Sequence, residues 1–79
     1  MNFIKNYRVE FVVSSDKLSL ELINNSLMEF GENICVEQAQ DNHEALKIKI
    51  DTVDPALIFD ICAQFGRIGN IKVDELGSG

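Results

Sequence analysis

The stretch Phe30-Gly31-Glu32-Asn33-Ile34-Cys35-Val36-Glu37 returns near the end of the chain as Phe65-Gly66-Arg67-Ile68-Gly69-Asn70-Ile71-Lys72-Val73-Asp74, with two residues added in the turn. Each copy has the pattern of a helix end that leads into a strand. The two phenylalanines are 35 residues apart and the two asparagines are 37 apart, which suits one strand-helix-strand unit and is too short for a domain. The sequence therefore predicts two βαβ halves in one sheet.

The first half begins with a predicted strand and helix. Apolar residues alternate along the chain from Tyr7 to Val13, which is typical of a strand with one buried face. Side-chain oxygens of residues 14–16 are predicted to cap the first helix, which is expected to end at Gly31 as its C-terminal cap. The predicted buried stripe of this helix is Leu20, Ile23, Leu27 and Phe30.

The second half starts from a hairpin. A second strand from Ile34 turns at residues 41–42 into a third strand with alternating apolar residues, and Asp54-Pro55 opens the second helix. Gly66 and Gly69 bracket the last turn before a fourth strand. The residues predicted to face inward are Leu46, Ile48 and Ile50 on the third strand, Ile58, Ile61, Cys62 and Phe65 on the second helix, and Ile71 and Val73 on the fourth strand.

The element order βαββαβ predicts an α+β fold of the ferredoxin-like kind. Right-handed crossovers place both helices on one face of a four-stranded antiparallel sheet of order 4-1-3-2. Residues 1–76 are expected to form this single domain, and residues 77–79 a flexible tail or a cloning remnant. The other face of the sheet is predicted to carry mixed charges, which indicates a solvated surface or a polar interface: Arg8, Glu10, Cys35, Glu37, Lys47, Lys49, Lys72 and Asp74.

Composition argues against several classes of partner. The chain has 13 acidic and 7 basic residues in a total of 79, for a formal charge of -6. Such a charge gives no attraction to nucleic acid or to an anionic membrane. No apolar run is long enough for a signal peptide or a membrane span, so a cytoplasmic location is the default expectation.

The reactive residues do not form a predicted catalytic, metal or cofactor site. Cys62 lies on an apolar helix stripe and Cys35 is predicted to point outward, so the two thiols are not expected to share a metal ion. His43 sits beside the hairpin turn, where a polar residue needs no functional role. The sequence also lacks a glycine-rich phosphate loop. We therefore predict a domain that is not an enzyme and needs no cofactor.

Two features favour a second chain or another protein as partner. Leu18 and Leu22 lie opposite the buried stripe of the first helix, so both cannot face the same sheet. Gln38 and Gln40 form the polar far end of the second strand, which is predicted at a sheet edge that either stays solvated or accepts a neighbouring strand. The expected function is therefore an interaction or regulatory domain that forms a homo-oligomer or binds a protein.

The segments 30–38 and 45–50 resemble the middle of an ACT regulatory domain. The resemblance extends loosely from Arg8 to Asp74 and implies the same βαββαβ order and side-by-side pairing. It also implies an alternative function, the sensing of a small molecule such as an amino acid. The glycine usual after the acidic loop residue of these domains is replaced here by Lys17. The ligand site that the resemblance implies is Ser14, Ser15, Asp16, Asn33 and Ile34.

Overall fold

Six elements follow one another in a computed structural model that describes residues 5–17 and 19–76. They are β1 (Asn6–Ser14), α1 (Leu20–Leu27), β2 (Glu32–Gln38), β3 (Ala45–Thr52), α2 (Pro55–Ala63) and β4 (Arg67–Leu76). All strand pairs are antiparallel and the sheet order is β2-β3-β1-β4, which is the predicted order counted from the other edge. The α+β, βαββαβ fold is confirmed. The predicted tail, residues 77–79, and Leu18 lie outside the described residues.

The core lies between the helices and one face of the sheet. The inward residues of β1 and β3 pack against the buried faces of the two helices, as alternation and helical spacing predicted. Phe11 and Phe59 meet edge to face, with ring centroids 5.3 Å apart, which joins α2 to the central strand. The buried core residues are Val9, Phe11, Val13, Ile23, Leu27, Leu46, Ile48, Ile50, Ile58 and Cys62.

The first helix is shorter than predicted. Its N-cap is Ser19, whose Oγ accepts a hydrogen bond from Leu22 N at 3.2 Å, so the cap predicted within residues 14–16 is wrong. Ser15 Oγ instead accepts from Lys17 N at 3.3 Å within a local turn. The helix ends at Leu27, with Met28 as its C-cap, rather than at Gly31.

The shortness of α1 explains two errors in the predicted buried stripe. Leu20 is 45% exposed and Phe30 is 40% exposed, whereas Ile23 and Leu27 are fully buried. An eight-residue helix makes about two turns, so it presents only its central positions to the sheet. The second helix was predicted correctly: Asp54 Oδ1 accepts from Leu57 N at 3.2 Å, and Pro55 occupies the first turn.

The repeated sequence motif forms the same backbone feature twice. Asn33 and Asn70 adopt positive φ angles of 53° and 52°, and the strand register shifts beside each of them. In both places two residues of an edge strand lie opposite one residue of its neighbour, which is a β-bulge. The repeat is therefore a pair of bulged edge strands, one at each side of the sheet.

The glycine of each motif is needed for close backbone approach rather than for helix capping. A Cβ at Gly31 would lie 2.6 Å from the carbonyl oxygen of Asp51, and a Cβ at Gly66 would clash with the carbonyl oxygen of Ser14. Neither glycine has a positive φ. Each one lets the end of a helical segment pass directly over a neighbouring strand.

The inward residues predicted for β4 are exposed. Val73 pairs with Val9 and therefore shares the helix-facing side of the sheet, and Ile71, two residues earlier, lies on the same side. Their exposed fractions are nevertheless 55% for Ile71 and 43% for Val73. The prediction of burial is wrong because the short α2 does not extend over this part of the edge strand.

Candidate interaction surface

The sheet face away from the helices carries charges of alternating sign. Strand register places Asp74, Arg8 and Asp51 side by side across β4, β1 and β3. The next row contains Lys72, Glu10 and Lys49 across the same strands. Directly opposite residues on antiparallel strands lie close enough to interact, and unlike charges there are stabilising. We call these six residues the charge grid.

One carboxylate of the charge grid is buried and fully paired. Asp51 is 4% exposed, and its Oδ1 and Oδ2 accept hydrogen bonds from Arg8 Nε at 2.9 Å and Arg8 Nη2 at 3.3 Å. Asn33 Nδ2 donates to Asp51 Oδ2 at 2.9 Å. The hydrogen bonds from Arg8 and then Asn33 lower the pKa of Asp51, and Asp51 raises the pKa of Arg8. This network fixes the bulge of β2 to the central strands.

The fourth strand forms an extended, partly apolar edge of the sheet. It is ten residues long and pairs with β1 alone among the described strands, so its other side has no strand neighbour within the chain. An edge strand presents backbone N–H and C=O groups that can pair with another chain. Lys72 and Asp74 lie on its charged side, and Ile71 and Val73 on its helix side.

Sequence reasoning missed this edge although a signal was available. The predicted sheet order already placed the fourth strand at an edge. The length of the second helix is the missing quantity, because only a longer helix would cover Ile71 and Val73. Helix ends are the least reliable part of a sequence prediction.

The residues predicted as an interface occupy two other places. Leu22 is 53% exposed on α1, while Leu18 lies outside the described residues. Gln38 ends β2, and its Nε2 donates to the carbonyl oxygen of His43 at 3.2 Å. Gln40 is exposed in the hairpin loop that follows. Their role in an interface remains a prediction.

The predicted ligand residues do not come together within one chain. Ser14 pairs with Ala45 at one end of β3, whereas Glu32, next to Asn33, pairs with Asp51 at the other end. Six residues of strand separate these ends, which corresponds to about 20 Å. Ser15 and Asp16 line a small cleft of about 310 Å³ together with His43. Ile34 is partly buried against the core beside Asn33.

A larger groove lies on the charged side of the sheet, next to the hairpin loop. Its volume is about 670 Å³, and its lining includes Val12, Ala45 and Lys47 with residues 37–42 of β2 and the loop. No clustered set of reactive side chains accompanies it, since among the described residues no three His, Cys, Asp or Glu are placed to hold a metal ion.

The two thiols lie in the places predicted for them. Cys62 is fully buried in the core, and its burial raises the pKa of the thiol to about 11, so very little thiolate forms near neutral pH. Cys35 is an exposed free thiol on β2. The only histidine, His43, is exposed in the hairpin loop, where its Nδ1 lies 3.3 Å from Gln38 Nε2. Among the residues described, no helix is long and apolar enough to cross a membrane.

These features define a small ferredoxin-like α+β domain with a charged sheet face and an accessible edge strand. Residues 5–78 match the family model of the FakA-like middle domain, which is described as the middle domain of a fatty acid kinase subunit. The chain belongs to that family. No curated protein and no solved structure matches the chain significantly. The family match neither supports nor excludes the resemblance to ACT domains, which remains a prediction.

Proposed function

We propose that this chain is a non-catalytic interaction domain that joins protein chains through the outer edge of β4, with a second copy of itself as the partner. The family takes its name from the middle domain of a fatty acid kinase-like subunit. A domain that lies between other parts of such a protein suits a connecting role. The fold itself decides no function, so the support for this role comes from the surface features.

The observation that carries the proposal is the composition of the β4 edge. A ten-residue strand with one side free of strand neighbours exposes Ile71 and Val73. Long, partly apolar edges are sites of strand addition unless charge or distortion protects them. The bulge at Asn70 distorts only the first part of β4. Residues 72–76 pair regularly with β1 and leave a straight edge for a partner.

The state of the polar side chains supports a non-catalytic role. Asp51 is held as an ionised carboxylate by Arg8 and Asn33, so its function is structural. Cys62 is buried with a raised pKa. A catalytic group needs access to its substrate and a protonation state suited to its task, and neither residue provides both.

Sedimentation equilibrium tests this proposal. The wild-type chain of 8.9 kDa is expected to show twice that mass at high concentration and to dissociate on dilution. The Val73→Arg variant is expected to remain monomeric, because it places a large charge at the centre of the edge. Val53→Arg is the matched control, since Val53 is also exposed but lies between β3 and α2. A wild-type chain that stays monomeric up to millimolar concentration would refute the proposal.

A second candidate is amino-acid sensing of the ACT type. The cleft lined by Ser15, Asp16 and Lys17 supports it, because a carboxylate and an ammonium group side by side suit a zwitterionic ligand. Asn33 and Ile34 lie about 20 Å away along the sheet and do not line this cleft. Thermal-shift measurements with free amino acids at millimolar concentration test it. An unchanged melting temperature with every amino acid would exclude this candidate.

A further inference from the structure

We propose that two copies of the chain pair antiparallel along β4 about a two-fold axis at Val73, so that Lys72 of each copy faces Asp74 of the other. This inference rests on the proposed function and specifies its register. The partner is a second copy because the edge strand is complementary to itself. Strand register, charge and exposure each support this pairing.

Symmetry leaves few registers for such a pair. Directly opposite residues on antiparallel strands must point to the same face. The two-fold axis therefore passes through a residue of β4 rather than between two residues. An axis at Lys72 would place two lysines opposite each other, and an axis at Asp74 would do the same with two aspartates. Like charges in directly opposite positions are destabilising.

An axis at Val73 gives two unlike pairs instead. Lys72 and Asp74 lie one residue before and one after Val73, so the axis sets the lysine of each copy against the aspartate of the other. The charge grid then continues across the joined sheets. One row reads Asp51, Arg8 and Asp74 in the first copy, followed by Lys72, Glu10 and Lys49 in the second. Its signs alternate without a break, and the two-fold axis generates a second such row.

The helix side of the same edge agrees with this register. Val73 is 43% exposed on that side, and an axis at this residue brings the two Val73 side chains together. Their contact removes apolar surface from water. The exposure of a valine at the centre of a charged edge is otherwise left without a function.

The opposite edge of the sheet lacks these properties. The second strand has seven residues against ten for β4. Its charged residues, Glu32 and Glu37, are both acidic. Self-pairing of β2 would therefore bring no unlike charges together in any register. The charges favour β4 over β2 as the edge that pairs.

Complementary charge variants test the register. Lys72→Glu alone would place a glutamate opposite Asp74 twice in the homodimer, and Asp74→Lys alone would place a lysine opposite Lys72 twice. Each variant is expected to dimerise at least about tenfold more weakly than wild type, because two attractive cross-strand pairs become repulsive. An equimolar mixture is expected to form a heterodimer with about wild-type affinity, since both positions then hold unlike charges.

The mixture separates the contact between copies from effects within one chain. The new glutamate lies beside Glu10 and the new lysine beside Arg8, so each variant carries an internal repulsion that mixing does not relieve. Glu37→Lys on β2 serves as the control and is expected to leave dimerisation unchanged. Sedimentation velocity with one variant fluorescently labelled reports the heterodimer directly.

The possible results distinguish this inference from the proposed function. A wild-type dimer with recovery on mixing supports both. A wild-type dimer without recovery in the mixture overturns the register at Val73 and leaves the interaction function standing. A wild-type monomer overturns the proposed function and the register with it.

Discussion

The buried carboxylate of Asp51 allows a quantitative prediction of stability. Replacing it with asparagine keeps the shape of the side chain but removes the charge that accepts from Arg8 Nε and Nη2 and from Asn33 Nδ2. The amide can accept at only one oxygen, and its NH₂ group must then face another donor. We expect the Asp51→Asn variant to lose stability for this reason.

The size of the loss follows from burial and from the number of partners. A hydrogen bond to a charged group contributes about 1.5–3 kcal/mol net. The side chain of Arg8 is 41% exposed, so water can solvate its charge once the carboxylate is gone. The loss should therefore correspond to about one such bond, or about 2 kcal/mol, and to a fall in melting temperature of roughly 10 °C for a domain of this size.

Urea unfolding followed by circular dichroism at pH 7 measures this difference. The midpoint should fall while the slope of free energy against urea stays constant. Asp60→Asn, at an exposed position of α2, is the control and should change stability by less than about 0.5 kcal/mol. If Asp51→Asn costs no more than this control, the network does not stabilise the fold and our account of the β2 bulge is wrong.

The same variant fixes the sign of the pH dependence. The pKa of Asp51 is lowered in the folded state, so its contribution is complete above the pKa of the unfolded chain, about 3.9. The contribution is lost as the pH falls through the lower, folded pKa. The difference in stability between wild type and Asp51→Asn should therefore be constant near neutral pH and narrow below about pH 4.

Three further predictions concern the rest of the fold. Gly31→Ala should cost more than about 2 kcal/mol in urea unfolding because its Cβ would meet backbone, whereas Gly69→Ala, with open space around it, should be neutral or slightly stabilising; equal losses would contradict the close approach. Alkylation near neutral pH should modify exposed Cys35 quickly and buried Cys62 only on unfolding, and equal rates would contradict the core assignment. Leu22→Ser, at a position 53% exposed, should change the sedimentation coefficient if α1 also contacts a partner, as the sequence predicted; an unchanged value would remove α1 from the interface.

The sequence predicted the fold well because its strongest signals are local and periodic. Alternation from Tyr7 to Val13 and the Asp54-Pro55 helix start each determine one element without reference to the rest of the chain. The limits of α1 were predicted less well. Several serines compete to cap it, and the choice of Ser19 depends on how residues 15–17 turn.

The repeated motif contained more information than the sequence alone revealed. Its glycines suggested helix caps, although Gly31 and Gly66 instead allow close approach to a neighbouring strand. Its asparagines suggested nothing in particular, and yet Asn33 and Asn70 both adopt positive φ at a bulge. Positive φ is tolerated by asparagine better than by most residues. The partner of each motif is distant in sequence, so only the folded chain discloses the bulges.

The candidate surface depended on quantities that periodicity does not provide. The sequence predicted mixed charges on the open sheet face, but their alternation in rows follows from the register between β1, β3 and β4. The exposure of Val73 follows from the short reach of α2. Residues predicted for one ligand site were drawn from both ends of the sheet, because the resemblance supplied positions without distances.

Amide hydrogen exchange of β4 at two protein concentrations tests the central claim most directly. If copies pair along β4, the amides of residues 72–76 that point away from β1 should be protected at high concentration and exchange rapidly after dilution, while those on the outer edge of β2 exchange rapidly in both samples. Exchange at β4 that is rapid and independent of concentration would contradict the claim that this edge joins two chains.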